Sequence, residues 1–106
     1  MTTYYTPVAG TLLDVDVDGY LLRPEQWSEV VAVELARQAG ITMTDRHWQV
    51  VRFMRQRYLE TGDAPTIRSL GRESGVSVKE LYELFPRGPA KLAAKIGGIP
   101  KPYGCF

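Results

Sequence analysis

The first 22 residues are rich in β-branched and aromatic side chains and contain one clear turn signal. Asp18-Gly19 lies between two short apolar runs, Val15-Asp16-Val17 and Tyr20-Leu21-Leu22. Asp-Gly dipeptides favour the tight turns that connect the strands of β-hairpins. The pattern therefore predicts a short hairpin or a meander at the N-terminus, with a turn at Asp18-Gly19.

Between residues 24 and 62, apolar residues recur at helical spacing in two stretches. Pro24 suits the first turn of a helix that Gly40 closes, and the apolar positions of this helix are Trp27, Val30, Val31 and Leu35. Thr44 is a plausible N-cap for a second helix. Its apolar stripe consists of His47, Val50, Val51, Met54 and Tyr58. We predict a first helix that docks by its Trp face and a second helix that is the longest in the chain.

Three shorter helices are predicted in the second half of the chain. Ile67 begins a helix that Gly75 interrupts, and Ser77-Val78-Lys79-Glu80 has the spacing of a capping box for the next helix. Gly88-Pro89 opens the last helix. The pair Gly97-Gly98 must end it, because consecutive glycines lose helical order and favour left-handed conformations.

The last eight residues cannot form regular helix. The sequence Ile99-Pro100-Lys101-Pro102-Tyr103-Gly104-Cys105-Phe106 contains two prolines, and each proline removes a backbone donor and fixes φ. We predict a globular domain over residues 1–97 and an extended arm over residues 98–106, semi-rigid between its glycines. The arm carries the only cysteine of the chain.

Composition narrows the classes of function. The chain has 106 residues, 44% of them hydrophobic, and chains of this size close a single core, which excludes a two-domain enzyme. One Cys and one His cannot supply the usual zinc ligands or an intrachain disulfide, so we expect no metal and no cofactor. No apolar run is long enough to span a membrane, and the N-terminus lacks the pattern of a signal peptide, so we expect a cytoplasmic protein.

Charge is balanced overall but is distributed unevenly. The chain has 13 Lys and Arg against 12 Asp and Glu, a formal net charge of +1, which does not favour a dedicated nucleic-acid or membrane binder. From Pro86 onward there is no acidic side chain, and the basic ones are Arg87, Lys91, Lys95 and Lys101. We therefore expect any electrostatic docking to involve the C-terminal end.

Cys105 is the candidate catalytic residue. Most free cysteines are buried small hydrophobes, but a penultimate residue on a Pro/Gly arm is difficult to bury. The segment from Gly98 to Cys105 could extend roughly 25 Å, enough to deliver sulfur into a pocket of another protein. Nearby cations such as Lys101 favour the thiolate and the Phe106 carboxylate disfavours it, so the sequence leaves the reactivity of the free thiol open.

Residues 67–85 offer a second hypothesis. Their small residues, turn glycine and apolar anchors fall near the helix-turn-helix pattern of DNA-binding proteins, with a recognition helix beginning near Ser77. On that helix, Glu80 and Glu83 would face repulsion from DNA phosphates. A structural role is therefore favoured over DNA binding.

The remaining polar and aromatic residues are interpreted as structural. His47 has no second metal ligand, so we expect a packed or surface histidine. Three aspartates alternate along the N-terminal strand region without the glutamate of a calcium loop, which favours a solvated strand face; they are Asp14, Asp16 and Asp18. The large aromatic residues expected in the core are Trp27, Trp48, Phe53 and Tyr58.

Several stretches of the chain resemble one known family. Residues Leu81 to Lys91 (LYELFPRGPAK) and Ile96 to Phe106 (IGGIPKPYGCF) closely resemble the DsrC/TusE family of sulfur-carrier proteins. That family ends in a Gly-hinged Pro-Lys-Pro arm with a penultimate cysteine. Upstream, the stretches Gly19-Tyr20-Leu21, Trp27-Ser28 and Met43-Thr44-Asp45-Arg46-His47-Trp48 also look like family signatures.

The resemblance implies both a fold and a site. The fold would be α+β and predominantly helical, with a small N-terminal β-meander packed on about five helices. Cys105 would accept and donate sulfane sulfur as a persulfide, and Lys101 would dock on an acidic partner. The glycines that would supply swivel are Gly97, Gly98 and Gly104, and the prolines that would limit the unfolded entropy of the arm are Pro100 and Pro102.

One position departs from part of the family. Members that serve dissimilatory sulfite reductase carry a second cysteine eleven residues before the penultimate one, and this chain has Ala94 there. The resemblance therefore favours the single-cysteine, TusE-like branch, which relays sulfur to the 2-thiolation of tRNA wobble uridine.

The resemblance also implies partners. Such a sulfurtransferase-type carrier would need a TusBCD- or DsrEFH-like sulfur donor and a tRNA-thiolating enzyme as acceptor. The alternative is an accessory, gamma-type subunit of a sulfite reductase.

Overall fold

A computed structural model describes residues 3–102 of the chain. Over this range it has two strands and five α-helices, in the order β1 (Tyr4–Val8), β2 (Thr11–Val15), α1 (Glu29–Gln38), α2 (Asp45–Thr61), α3 (Ile67–Glu73), α4 (Val78–Leu84) and α5 (Pro89–Ile96). A short 3-10 helix, Pro24–Gln26, precedes α1. The predominantly helical α+β fold implied by the sequence is confirmed. No helix in this part of the chain is long and apolar enough to cross a membrane.

The N-terminal hairpin turns earlier than predicted. β1 and β2 pair in antiparallel fashion with Val8 opposite Thr11, and the turn is Ala9-Gly10, where φ is 50° and 82°. Positive φ at both central residues is typical of the turns that match the twist of hairpins. The predicted turn at Asp18-Gly19 also forms, but it closes only a single bridge between Val15 and Leu21. The turn at Ala9-Gly10 leaves only a weak signal in the sequence, because Ala9 is an unusual residue for a left-handed position.

The first helix also differs from the prediction. Pro24 begins the 3-10 turn, the backbone is extended at Trp27, and Ser28 then caps α1 by accepting a hydrogen bond from the Val31 amide. Serine is a strong N-cap because its hydroxyl satisfies an amide of the first turn. Trp27 therefore lies before the helix rather than on its face, and Val30 points to solvent.

The second helix agrees with the prediction. Thr44 caps α2, and Gly62 ends it in the left-handed conformation with φ of 80°. His47 is packed: its Nδ1 accepts the Thr44 amide proton, so its Nε2 carries the proton that it donates to the Leu84 carbonyl at 2.8 Å. The ring also meets Phe85 edge-on, with centroids 5.1 Å apart. His47 thus joins the start of α2 to the end of α4.

The core lies between the hairpin and the helices. Its largest fully buried side chains include Phe85, Leu13, Leu21, Met54, Leu70, Leu81, Ile96 and Ile99. The four large aromatic residues predicted for the core are only partly buried and pack against its edge; they are Trp27, Trp48, Phe53 and Tyr58. Arginine guanidinium groups lie over the rings of Trp48, Trp27 and Phe53 at 4.3 to 5.1 Å from the ring centroids. A ring that holds a cation on one face packs against the core by its other face and so stays at the edge.

The two short helices α3 and α4 meet around the predicted glycine turn. Gly75 has a φ of 84°, and Ser77 caps α4 by accepting the Glu80 amide proton. Only this half of the predicted capping box forms. The Glu80 carboxylate instead pairs with Arg46 of α2 at 2.6 Å, because the guanidinium offers a charged partner in place of a neutral amide.

Candidate functional site

The described part of the chain includes the segment that leads to the predicted cysteine. Cys105 and Gly104 lie outside the described residues, whereas residues 97–102, which we call the stem, lie within them. The stem follows directly on α5. Where α5 ends and how the stem is held therefore determine where the terminal residues begin.

Helix α5 divides its side chains between the core and the surface. Pro89 begins the helix and Gly97 ends it, as the sequence predicted. The buried face is made of small or branched side chains, which allow close packing against α1 and α2. The opposite face carries Lys91 and Lys95, spaced so that both lie on one side of the helix.

Two side chains hold the carbonyl groups at the end of α5. Trp27 Nε1 donates to the Ile96 carbonyl at 2.8 Å. Arg55 of α2 donates to the Gly97 carbonyl at 3.0 Å and to the Pro24 carbonyl at 2.9 Å, and its guanidinium stacks on the Trp27 ring at 4.3 Å. The last carbonyls of a helix have no partner within the helix. This Trp27–Arg55 clamp satisfies two of them and fixes the direction in which the stem leaves α5.

The sequence pattern does not predict the clamp. It places Trp27 on a helix face and indicates no role for Arg55. Burial lowers the pKa of the Arg55 guanidinium below its usual value, although a guanidinium remains charged at neutral pH. The available signal was the position of Arg55, four residues after the buried Val51 on the inward side of α2.

Gly98 allows the indole of Trp27 to approach the stem. Its φ is 67°, and a Cβ added there would lie 2.3 Å from Trp27 Cδ1. At Gly97, a Cβ would lie 2.9 Å from the Ala93 carbonyl oxygen. Close packing therefore requires glycine at both positions. The swivel roles expected of Gly97 and Gly98 stay predictions.

The stem contacts the globular part through buried residues and through one exposed ion pair. Ile99 is fully buried and its amide donates to the Ala94 carbonyl at 3.2 Å, and Pro102 is buried as well. Lys101 is exposed and its Nζ donates to Asp18 Oδ2 at 2.7 Å. The division of the chain at residue 98 stays a prediction, but contacts with the globular part continue as far as Pro102.

The basic side chains predicted for docking meet beside the stem. A depression of about 280 Å³, which we call the basic depression, is lined by Asp18, Tyr20, Arg87, Lys91, Leu92, Lys95 and Lys101. A larger depression of about 500 Å³ is lined by Tyr58, Gly62, Asp63, Ala64, Pro100, Lys101 and Pro102. Lys101 of the stem therefore lines both depressions.

The three N-terminal aspartates have separate partners. Asp14 pairs with Arg23 at 2.9 Å, Asp16 accepts from the amides of its own turn, and Asp18 binds Lys101. Residues 3–102 contain no group of three or more His, Cys, Asp or Glu side chains that could hold a metal ion.

The helix-turn-helix hypothesis finds little support in α4. Its exposed side chains include Lys79, Tyr82 and Glu83, and Glu80 is already paired with Arg46. A surface that mixes one cation with an acid and an aromatic ring does not offer the positive field that a DNA backbone requires.

The fold and the stem together define a small α+β domain whose last helix leads directly into the stem. The family model described as "DsrC like protein" matches residues 7–106, and the chain belongs to the DsrC family.

Similarity to individual proteins extends over nearly the whole chain. It is 49% identical to the sulfurtransferase TusE of Yersinia pseudotuberculosis, over 92% of this chain and 96% of that protein. The NMR structure of Allochromatium vinosum DsrC has a TM-score of 0.83 at 38% identity, covering 99% of this chain and 100% of that one. The oxidized gamma-subunit of the dissimilatory sulfite reductase (DsrC) from Archaeoglobus fulgidus has a TM-score of 0.81 at 37% identity, covering 97% and 100%. The resemblance drawn from the sequence motifs is thereby confirmed.

Proposed function

We propose that this protein is a sulfur-relay carrier, which holds a persulfide on Cys105 and passes the terminal sulfur on toward tRNA 2-thiouridine synthesis or related sulfur trafficking. One observation carries the proposal: a chain with a single, penultimate cysteine is similar to proteins named sulfurtransferase TusE over 92% of its length.

The chemistry needs only the thiolate of Cys105. The thiolate attacks the terminal sulfur of a donor persulfide, the sulfur-sulfur bond of the donor breaks, and the donor leaves as a thiolate. Cys105 then carries the S–SH group. An acceptor thiolate repeats the attack on that group and releases Cys105 as a thiolate, so neither step requires an external oxidant or reductant.

Two kinds of partner follow from this cycle. A carrier that is both loaded and unloaded needs a donor, for which we propose a TusBCD- or DsrEFH-like protein, and an acceptor, for which we propose a tRNA-thiolating enzyme. The stem supports this role, because Ile99 and the Trp27–Arg55 clamp hold the base of the arm six to nine residues before Cys105.

Mass spectrometry of the intact chain tests the proposal. The reduced chain is incubated with a persulfide-loaded donor protein, and we expect a gain of one sulfur atom in mass that dithiothreitol removes. Cys105→Ser is expected to abolish the gain, whereas Ser77→Ala, which leaves the only thiol in place, is the control. No gain in the unaltered chain, or a gain that persists in Cys105→Ser, would overturn the proposal.

The second candidate is an accessory subunit of a sulfite reductase. It is favoured by the similarity to the Archaeoglobus fulgidus gamma-subunit, but a cycle with two cysteines in one chain is excluded, because Ala94 replaces the second cysteine. Copurification with a sirohaem enzyme that is undiminished in Cys105→Ala would favour this candidate over the sulfur relay.

A further inference from the structure

We propose that the basic depression is the docking site for an acidic segment of a partner protein, and that Asp18 occupies it in the free chain in place of the partner's carboxylate. The proposal rests on the proposed function only in taking that partner to be a protein that loads or unloads the arm.

The charge of the depression is strongly positive although the chain is nearly neutral. Among residues 3–102, four cations and one acid, Asp18, line it, while the whole chain has a formal net charge of +1. Exposed charges act over about 10 Å at moderate ionic strength, so a local excess of cations attracts a partner's carboxylates even on a neutral molecule.

The depression already binds one carboxylate. Asp18 Oδ2 accepts a hydrogen bond from Lys101 Nζ at 2.7 Å. This hydrogen bond and the charge of Lys101 lower the pKa of Asp18, and Lys95 and Lys91 lower it further. The cations are therefore close enough to stabilise a carboxylate at this place in its charged form.

The turn that presents Asp18 is held in one conformation. Asp16 Oδ1 accepts from the amides of Asp18 and Tyr20 at 2.9 and 3.0 Å. Gly19 has a φ of 87°, and a Cβ there would lie 3.1 Å from Lys95 Cε. The missing side chain lets Lys95 extend across the turn, so that the carboxylate of Asp18 and the cations of α5 are held near one another.

The ion pair between Asp18 and Lys101 can easily be replaced by a pair between Lys101 and another carboxylate. The two side chains are 48% and 47% exposed, and exposed ion pairs contribute little to stability. A carboxylate from a partner can therefore replace Asp18 at small cost. Because Lys101 belongs to the stem, docking at the depression also orients the arm that carries Cys105.

The size of the depression favours a peptide over a nucleic acid. Proteins that bind nucleic-acid backbones present a basic stripe along several phosphates, whereas these cations surround a single depression of about 280 Å³. Tyr20 and Leu92 add apolar surface to the same wall, which suits the methylene groups of glutamate or a neighbouring apolar side chain.

An NMR titration of the full chain with a capped hexaglutamate peptide tests the proposal. We expect the amide signals of residues 18–20 and 87–101 to shift on binding. Lys91→Glu should weaken binding about tenfold. Lys79→Glu, the same change in the first turn of α4, should leave it unchanged.

Removal of the internal carboxylate gives a second, independent measurement. Asp18→Asn should strengthen binding of the peptide about twofold to fivefold, because Lys101 no longer has to release Asp18. Glu60→Gln on the exposed surface of α2 is the control with the same change in net charge, and it should have no effect.

The proposal would be overturned by no shift at the depression, by equal effects of Lys91→Glu and Lys79→Glu, or by no gain in affinity in Asp18→Asn. Binding of hexauridylate as tight as that of the peptide would also overturn it, and would assign the depression to phosphates. Loading of Cys105 by a small-molecule persulfide, measured on the unaltered chain, reports on the proposed function alone. Failure of that loading would leave the result of the peptide titration standing.

Discussion

At the scale of single residues, the contact between Gly98 and Trp27 decides how the stem leaves the globular part. The indole ring occupies the space of the missing side chain, and its Nε1 binds the carbonyl two residues earlier. A glycine that looks like a hinge in the sequence is also a packing requirement.

The packing at Gly98 predicts that adding a single methyl group there lowers the stability of the fold strongly. Gly98→Ala should lower the free energy of unfolding by about 2–4 kcal/mol, since it combines a steric clash with left-handed backbone strain. Gly62→Ala is the matched control, because Gly62 has a φ of 80° but open space around it, and it should cost only about 1–2 kcal/mol. Equal losses of stability in urea unfolding would contradict the packing argument.

The ion pair of Asp18 and Lys101 makes a prediction about pH. The hydrogen bond from Lys101 lowers the pKa of Asp18 below its usual 3.8. The contribution of Asp18 to the stability of the folded chain is therefore present above pH 3.8, and it is lost as the pH falls through the lowered pKa. The pKa of Lys101 is raised above 10.5 by the same partner, so its contribution is present below pH 10.5 and is lost as the pH rises through the raised value.

The carboxyl carbon signal of Asp18 in NMR measures this coupling. In Lys101→Ala the pKa of Asp18 should rise toward its usual value, whereas Lys79→Ala should leave the titration of Asp18 unaltered. An Asp18 titration that is the same in both variants would show that the pair does not form in solution.

At the scale of elements, α2 links the base of the stem to the segment before α1. Arg55 reaches from α2 to the carbonyls of Gly97 and Pro24 at once, while His47, at the other end of the same helix, binds the end of α4. The longest helix described therefore positions the site through polar contacts at both ends, in addition to its apolar stripe.

The geometry of this contact predicts that lysine cannot replace Arg55. A guanidinium serves two carbonyls from one planar group and stacks on Trp27, which a single ammonium cannot do. We expect Arg55→Lys to lower the free energy of unfolding by about 1–3 kcal/mol and to shift the amide signals of residues 97–102. Arg68→Lys, on the exposed surface of α3, should change stability by less than about 0.5 kcal/mol. Similar effects of the two substitutions would argue against the clamp.

At the scale of the whole molecule, the globular part extends further along the chain than its sequence suggests. Ile99 lies among the fully buried residues of the core and Pro102 is buried beside it. The first residues of the predicted arm therefore contribute to the stability of the fold.

Two truncations test where the globular part ends. A chain that ends at Pro102 keeps every contact described above and is the reference. A chain that ends at Gly98 loses Ile99 from the core and should be less stable by about 2–5 kcal/mol. Equal stability of the two truncated chains in urea unfolding would place the boundary at residue 98, as the sequence alone suggests.

Much of the fold was predictable because its signals are local. The caps at Thr44 and Ser77 and the glycine that ends α2 were all read from neighbouring residues, since a cap depends on a hydroxyl and an amide three positions apart. The hairpin turn at Ala9-Gly10 was missed because a non-glycine residue in a left-handed position leaves only a weak local signal.

The candidate site was predictable in its residues but not in its arrangement. Arg87, Lys91, Lys95 and Lys101 were singled out because no acid accompanies them in the sequence. Their acidic partner, Asp18, lies 83 positions before Lys101, and no local pattern connects the two.

The sequence by itself determined helices α2 to α5, the caps at Thr44 and Ser77, the family and the identity of the candidate sulfur-carrying residue, because each of these depends on neighbours along the chain or on a short motif. Only the tertiary structure decided that Trp27 and Arg55 hold the base of the stem, that Ile99 belongs to the core, and that Asp18 lies among the cations of the basic depression. These contacts join positions more than thirty residues apart in sequence. Their formation depends on how the helices pack against one another, which the order of polar and apolar residues does not specify.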